Sequence, residues 1–138
     1  MTPTQIRLVQ STWQSVVPIQ QQAATLFYDE LFAADPSLSA LFKGNLEEQK
    51  VKLMRMIGVA VGSLHRLEEI LPAVKNLGRR HDAYGVKPQH YATVGAALLG
   101  TLAKGLGPAF TPEVKEAWAA AYGLLSQVMR GTSAHAAA

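Results

Sequence analysis

The chain contains no cysteine, which excludes a disulfide scaffold, a thiolate metal centre and a cysteine nucleophile. It is thin in charge, with 17% Asp, Glu, Lys and Arg, and in aromatic residues, with 7%. Its net charge of +3 comes from scattered cations with no run longer than Arg79-Arg80. The basic footprint of a nucleic-acid-binding surface is therefore missing. No apolar run reaches the roughly 20 residues of a membrane span. The N-terminus also lacks the charged start and apolar core of a secretion signal. A cytoplasmic protein with no membrane and no nucleic-acid partner is the expectation.

What is present is apolar. Of 138 residues, 49% are hydrophobic, enough for one domain with one core and some surplus to line a cavity or an interface. Helical spacing recurs along the chain, without sustained strand alternation. Thr2 and Pro3 read as cap and first residue of a helix whose face is Ile6, Val9, Trp13 and Val16. Ile19, Ala23, Leu26, Phe27 and Leu31 continue the pattern, and Asp35-Pro36 restarts it as a short helix. Asn45 caps a helix with the stripe Leu46, Gln49, Leu53, Ile57, Ala60 and Leu64, its first turn carrying Glu47 and Glu48.

Pro72 is expected to start the next helix, with the face Val74, Leu77 and His81, and Pro88 another through Tyr91, Val94, Leu98 and Leu102. Thr111-Pro112 opens the last, carrying Val114, Trp118, Ala121, Leu125 and Val128. Gly131 is expected to stop it, leaving 132–138 a frayed, disordered tail. The reading is all-α: one domain over 1–131, built of seven to eight helices.

Two polar residues interrupt these faces. Gln49 precedes Leu53 by four positions, and His81 follows Leu77 by four, so each shares an apolar stripe. A buried imidazole must find a partner or cost about 1–3 kcal/mol. A histidine satisfied within the core is the plain reading. A metal held by protein ligands alone is not supported, because no second histidine or acidic pair shares the face. A cofactor bringing its own equatorial ligands needs only one imidazole, and haem is such a cofactor.

The motifs "LGRRHDAYGV" and "LGPAFTPEVKEAWAAAYGLLSQVM" resemble the corresponding stretches of neuroglobins. "LFYDELF", "DPSLSALF" and "KPQHYATVGAALLGTL" resemble the haem domain of bacterial flavohaemoglobins. In this order and spacing they make the chain similar to the globins from about Thr4 to Met129, and most like single-domain bacterial globins of the Hell's Gate type. The resemblance implies a globin fold enclosing a haem pocket, with His81 as the iron ligand. It puts Phe42 flat against the porphyrin, Gln49 at the distal position, Leu53 over the bound ligand and Tyr28 as the distal tyrosine. Val86, Tyr91, Val94 and Leu98 match the proximal lining, and Ile57 and Leu77 complete the candidate pocket. Lys52 and Arg80 are candidates for the propionates on charge and position, although both also read as solvated helix residues. Phe42 also reads as ordinary core and Tyr28 as a boundary tyrosine. Trp13, Trp118 and Tyr122 resemble helix-contact positions, while His65, His90 and His135 read as surface histidines.

The resemblance further implies non-covalent haem b, since no C-x-x-C-H attachment motif occurs. It implies O2 as the ligand, with nitric oxide and carbon monoxide as others. Tyr28 and Gln49 can each donate a hydrogen bond to the partially negative terminal oxygen of O2. Neuroglobins carry an iron-ligating histidine where this chain has Gln49, so an open, five-coordinate iron is expected. The proximal glutamate of flavohaemoglobins matches Ser133, which weakens the case for peroxidase chemistry. The likeness to flavohaemoglobins stops at the haem domain, so a separate, unidentified reductase would be needed for nitric oxide dioxygenase turnover. Plain O2 storage, gas sensing or a haem-free interaction module remain the alternatives, in a monomer or weak homo-oligomer.

Overall fold

Thr2 accepts a hydrogen bond from the Gln5 backbone N–H at 3.1 Å, and Gln5 Oε1 accepts from the Thr2 N–H at 3.0 Å. This reciprocal cap satisfies two donors that a helix end leaves unpaired, and it starts α1 (Pro3–Val16). A 3-10 turn at Val17–Ile19 leads into α2 (Gln20–Ala34). Asp35 accepts from the Ser37 N–H and caps the next segment, Pro36–Leu41, which is 3-10 rather than α. Asn45 Oδ1 accepts from the N–H groups of Glu47 and Glu48 and starts α3 (Leu46–Gly62). The chain continues through a 3-10 turn at Leu64–Arg66 into α4 (Leu67–Ala83). Then come α5 (Pro88–Leu106), a 3-10 turn at Gly107–Ala109, and α6 (Pro112–Ala137). Gly107 ends α5 at φ 57°, a backbone setting that only glycine takes without strain.

This computed structural model describes residues 1–42, 44–83 and 87–137, excepting the side chains of 82, 83, 88 and 130–137. Among the described residues there are six α-helices and no strand, so the all-α expectation holds. The count falls below seven because the Pro36–Leu41 segment winds as a 3-10 helix. Two boundaries differ from the sequence reading. Pro72 lies inside α4 rather than at its start; it forfeits one backbone bond, to the Glu68 carbonyl, and the acidic first turn at Glu68 and Glu69 begins the helix earlier. α6 runs on through Gly131 to Ala137, since a mid-helix glycine costs only about 1 kcal/mol and does not terminate a helix by itself. No helix among the described residues is long and apolar enough to cross a membrane.

Two apolar clusters hold the helices. The larger joins α1, α3, α5 and α6 through Val9, Trp13, Met54, Leu102, Val114 and Trp118. Trp118 Nε1–H donates to Thr12 Oγ1 at 2.9 Å, and that hydroxyl donates to the Leu8 carbonyl at 2.6 Å. The buried indole is thus satisfied, as its burial demands. The smaller cluster is aromatic: Phe27, Tyr28, Leu31, Leu38 and Ala97, with Phe32 and Phe42 packed against it. Each fully buried side chain of this kind contributes about 1.5–3 kcal/mol. α4 and α6 press close at Gly78, where a Cβ would stand 2.7 Å from the Met129 carbonyl oxygen.

Candidate functional site

The stripe of α3 expected to be buried is only half so. Leu53, Ile57 and Ala60 keep partial exposure, whereas Met54 and Val61 beside them are buried. The reason is a cavity. About 200 Å³ of space lies between α3, α4, α5 and α6, walled by Leu53, Ile57, Leu77, Tyr91, Val94 and Leu98 and reached by His81. Met56, 41% exposed, stands at its edge. All seven of these wall positions, His81 included, belong to the set expected from the sequence.

His81 is held by its own helix. Its Nδ1 lies 2.7 Å from the Leu77 carbonyl oxygen, one turn back. A carbonyl can only accept, so Nδ1 carries the hydrogen, and in the neutral imidazole the lone pair is then at Nε2. Opposite the imidazole's helix, α6 supplies wall residues that sequence reading took for plain core or overlooked: Trp118, Ala121, Tyr122, Leu125 and Met129. Their three- and four-residue spacing was the available signal, but which side of the core would stay unfilled is a tertiary property. Tyr122 is fixed from two sides. Its hydroxyl donates to the Tyr91 carbonyl at 2.6 Å, and its ring lies where a Cβ at Gly95 would be 2.8 Å away.

Tyr28, Phe42 and Gln49 do not line this cavity. Tyr28 and Phe42 sit in the aromatic cluster, which shares Phe27, Leu53, Val94 and Leu98 with the cavity wall. Phe42 meets Tyr28 edge-on at 5.2 Å between ring centres, and Phe27 does so at 5.3 Å. Tyr28 is 4% exposed, and its hydroxyl makes no hydrogen bond among the described residues. Burial pushes that phenol up to about 12, so it stays protonated and able to donate. Gln49 is half-buried one turn before Leu53 on α3, its amide also unpartnered among the described residues. Lys52 and Arg80 are exposed and enter no salt bridge among the described residues. Val86 lies outside the described residues. His65 is exposed, but His90 is more than a surface residue: its Nδ1 accepts from the Lys87 N–H at 3.0 Å, closing the start of α5.

The donor chemistry selects the group that fits. Among the described residues no three His, Asp or Glu side chains gather to hold a bare ion. One oriented imidazole entering an apolar cavity suits an iron that already carries four equatorial nitrogens, which is haem.

Comparison with known proteins agrees. The globin family model matches residues 25–129. A flavohemoprotein of Bacillus subtilis is 34% identical over 86% of this chain, which spans only 31% of that longer protein. The neuroglobin of Danio rerio is 31% identical over 88% of this chain and 86% of its own length. Among solved structures, a bacterial globin from Campylobacter jejuni superposes with a TM-score of 0.83 at 26% identity, covering 95% of each chain. An engineered carbene transferase, derived from a candidate nitric oxide dioxygenase of Rhodothermus marinus, shares the fold at TM-score 0.88 and 22% identity over 99% of this chain and 95% of its own. The chain belongs to the globin family, whose members bind haem and, through it, O2 and other diatomic gases.

Proposed function

We propose that this globin binds O2 at a five-coordinate haem b and converts nitric oxide to nitrate with electrons from a separate reductase. The observation that carries the reading is the imidazole of His81, its Nδ1 tied to the Leu77 carbonyl and its Nε2 left free beside an apolar cavity. When bound, haem supplies a ferrous iron that takes up O2, and both oxygen atoms can pass to nitric oxide at the cost of one electron per nitrate formed.

The protein's own part is positioning and polarity. His81 Nε2 is the ligating atom, and the hydrogen bond at Nδ1 fixes the ring and raises its basicity. Leu53 and Ile57 would exclude water from the ligand's side of the pocket, and Val94 and Leu98 from the histidine side. By the family resemblance, Tyr28 Oη–H and the Gln49 amide, which border the cavity without lining it, would be the donors for a partially negative terminal oxygen, each bond worth about 1.5–3 kcal/mol. Leu77 and Tyr91 would stand on the histidine side, and Phe42, by the family resemblance, would meet the ring face from the adjoining aromatic cluster. Lys52 and Arg80, both exposed, are the cations that would pair with the propionates. The names of two relatives support the nitric oxide branch: a flavohemoprotein and a candidate nitric oxide dioxygenase.

The test is nitrate yield when the oxygenated protein meets nitric oxide in the presence of a cell-extract reductase. Many nitrates per haem are expected. A single turnover, with the iron then remaining oxidised, would make the protein an O2 store.

A further inference from the structure

On the other side of α3 from the haem cavity lies a second hollow, about 740 Å³, between α1 and α3. It exists because α3 presents Gly58 and Gly62 there. A Cβ at Gly62 would meet nothing within 4 Å, and one at Gly58 would meet only Trp13 Nε1, at 3.5 Å. Trp13 is 6% exposed, yet its indole N–H has no hydrogen-bond partner among the described residues. Among the described residues no buried side-chain donor or acceptor is left unpaired, so this N–H opens onto the groove that Trp13 lines, where a guest can reach it. The groove's other polar side chains are the neutral Thr4, Gln10, Ser11 and Gln14, and Arg7 is its charged one. Arg7 lines it without a salt bridge among the described residues, and neither Asp nor Glu appears in its wall. The nearby Val61 carbonyl is already taken by the Gln10 amide at 2.9 Å. Leu8 and Val61 supply apolar wall.

We propose that the α1–α3 groove is a binding site for a small amphipathic carboxylate. Its anionic head accepts from the Trp13 indole N–H and the Arg7 guanidinium, and its apolar part lies over Leu8, Val61 and the bare faces of Gly58 and Gly62. An indole N–H and a guanidinium are both donor-only groups, so an anion with lone pairs on two oxygens satisfies them where a cation or a donor-rich guest cannot.

Octanoate is the probe, with 1-octanol as its uncharged counterpart. The indole N–H resonances of the purified protein in its diamagnetic carbon monoxide form are followed by 1H–15N spectroscopy, Trp13 being assigned by Trp13→Phe. Octanoate should shift the Trp13 resonance saturably and leave the Trp118 resonance, already bonded to Thr12, nearly still. Octanol should bind about tenfold or more weakly, the size of one lost charge-assisted bond. Arg7→Gln should weaken octanoate by a similar factor. Gly58→Ala, whose methyl meets the indole at ordinary contact distance, should block the site while keeping the fold. Gly62→Leu fills the same groove from open space and serves as the second blocking variant. Absence of a saturable Trp13 shift, equal binding of octanol, or unaltered binding in both glycine variants would overturn the proposal. A shift confined to Trp118 would do so as well, placing the guest in the haem cavity.

Discussion

The Nδ1 of His81 and the carbonyl oxygen of Leu77 lie 2.7 Å apart within α4. Both atoms belong to one helix, so the ring's orientation is set by local geometry before any cofactor arrives. This tautomer presents Nε2 as the ligating atom. The purified protein should therefore carry one haem b per chain, released intact by acid extraction. His81→Ala should lose the haem or retain it only weakly, read from the Soret absorbance after gel filtration. Unchanged haem content and spectrum in that variant would remove His81 as the iron ligand.

The opposite face of the iron should be open. An amide is a poor iron ligand and does not titrate, and Tyr28, raised to about 12 by burial, cannot present a phenolate near neutral pH. Anaerobic reduction should give the broad visible band of five-coordinate high-spin ferrous haem. A sharp six-coordinate low-spin pattern would show an internal ligand and overturn the open-site reading.

The packing of α4 on α6 yields a stability prediction that does not involve haem chemistry. A methyl at Gly78 would press on backbone atoms of Met129 at 2.7 and 2.8 Å, and backbone cannot rotate away. Gly78→Ala should cost about 1–3 kcal/mol, which for a chain of this size lowers Tm by several degrees. Gly123→Ala is the matched control on α6: nothing lies within 4 Å of its added Cβ, and alanine favours the helix by about 1 kcal/mol. Thermal melts of the two variants should move in opposite directions. If Gly78→Ala melts like the parent, the helices are not in contact there.

Helix starts were legible because caps are written in adjacent residues: Thr2 with Gln5, Asp35 with Ser37, and Asn45 with Glu47 each form the expected bonds. Pro72 misled because proline suits a helix's first turn and also survives in its second at the loss of one bond. Gly131 misled because glycine favours helix ends without enforcing them. The stripe of Leu53, Ile57 and Ala60 was rightly read as the inward face of α3. That it borders a cavity, with Trp118, Leu125 and Met129 across from it, depends on the angle between helices, and no local pattern encodes that. His81 reads from spacing alone as a core histidine, and it was the resemblance to the globins that singled it out; its place at the cavity follows from the helix packing. Lys52 and Arg80 remain the least readable, because an exposed cation on a helix looks the same whether or not it serves a ligand.

Ionisation of Tyr28 supplies a pH prediction. Its folded value, about 12, lies above the ordinary 10.0, so the folded state holds this proton more tightly than the unfolded chain does. The stability linked to it is fully present below pH 10 and is lost as pH rises through about 12. Alkaline denaturation should therefore be less steep in Tyr28→Phe, which has no such proton to lose. Parallel alkaline melting curves for the two proteins would mean that the hydroxyl is not desolvated.

Tyr28 and Gln49 should share one task, and the sharing is measurable. If both donors aim at the same terminal oxygen, removing one alters what the other can do, so their effects should be coupled and not additive. Tyr28→Phe deletes a hydroxyl but keeps the ring, and with it the edge-on contacts to Phe27 and Phe42. Gln49→Leu keeps the volume and removes the amide. Each should raise the O2 off-rate by about five- to a hundredfold, the range for one charge-assisted hydrogen bond. Carbon monoxide gathers far less charge on its oxygen, so its off-rate should move much less. Stopped-flow release of both gases from the parent, the two single variants and the double variant separates electrostatics from packing. Equal shifts for O2 and carbon monoxide would mean that the two side chains act by shape alone. Strict additivity would mean that they do not face the same atom, and in either case the hydrogen-bonded distal pocket would have to be given up.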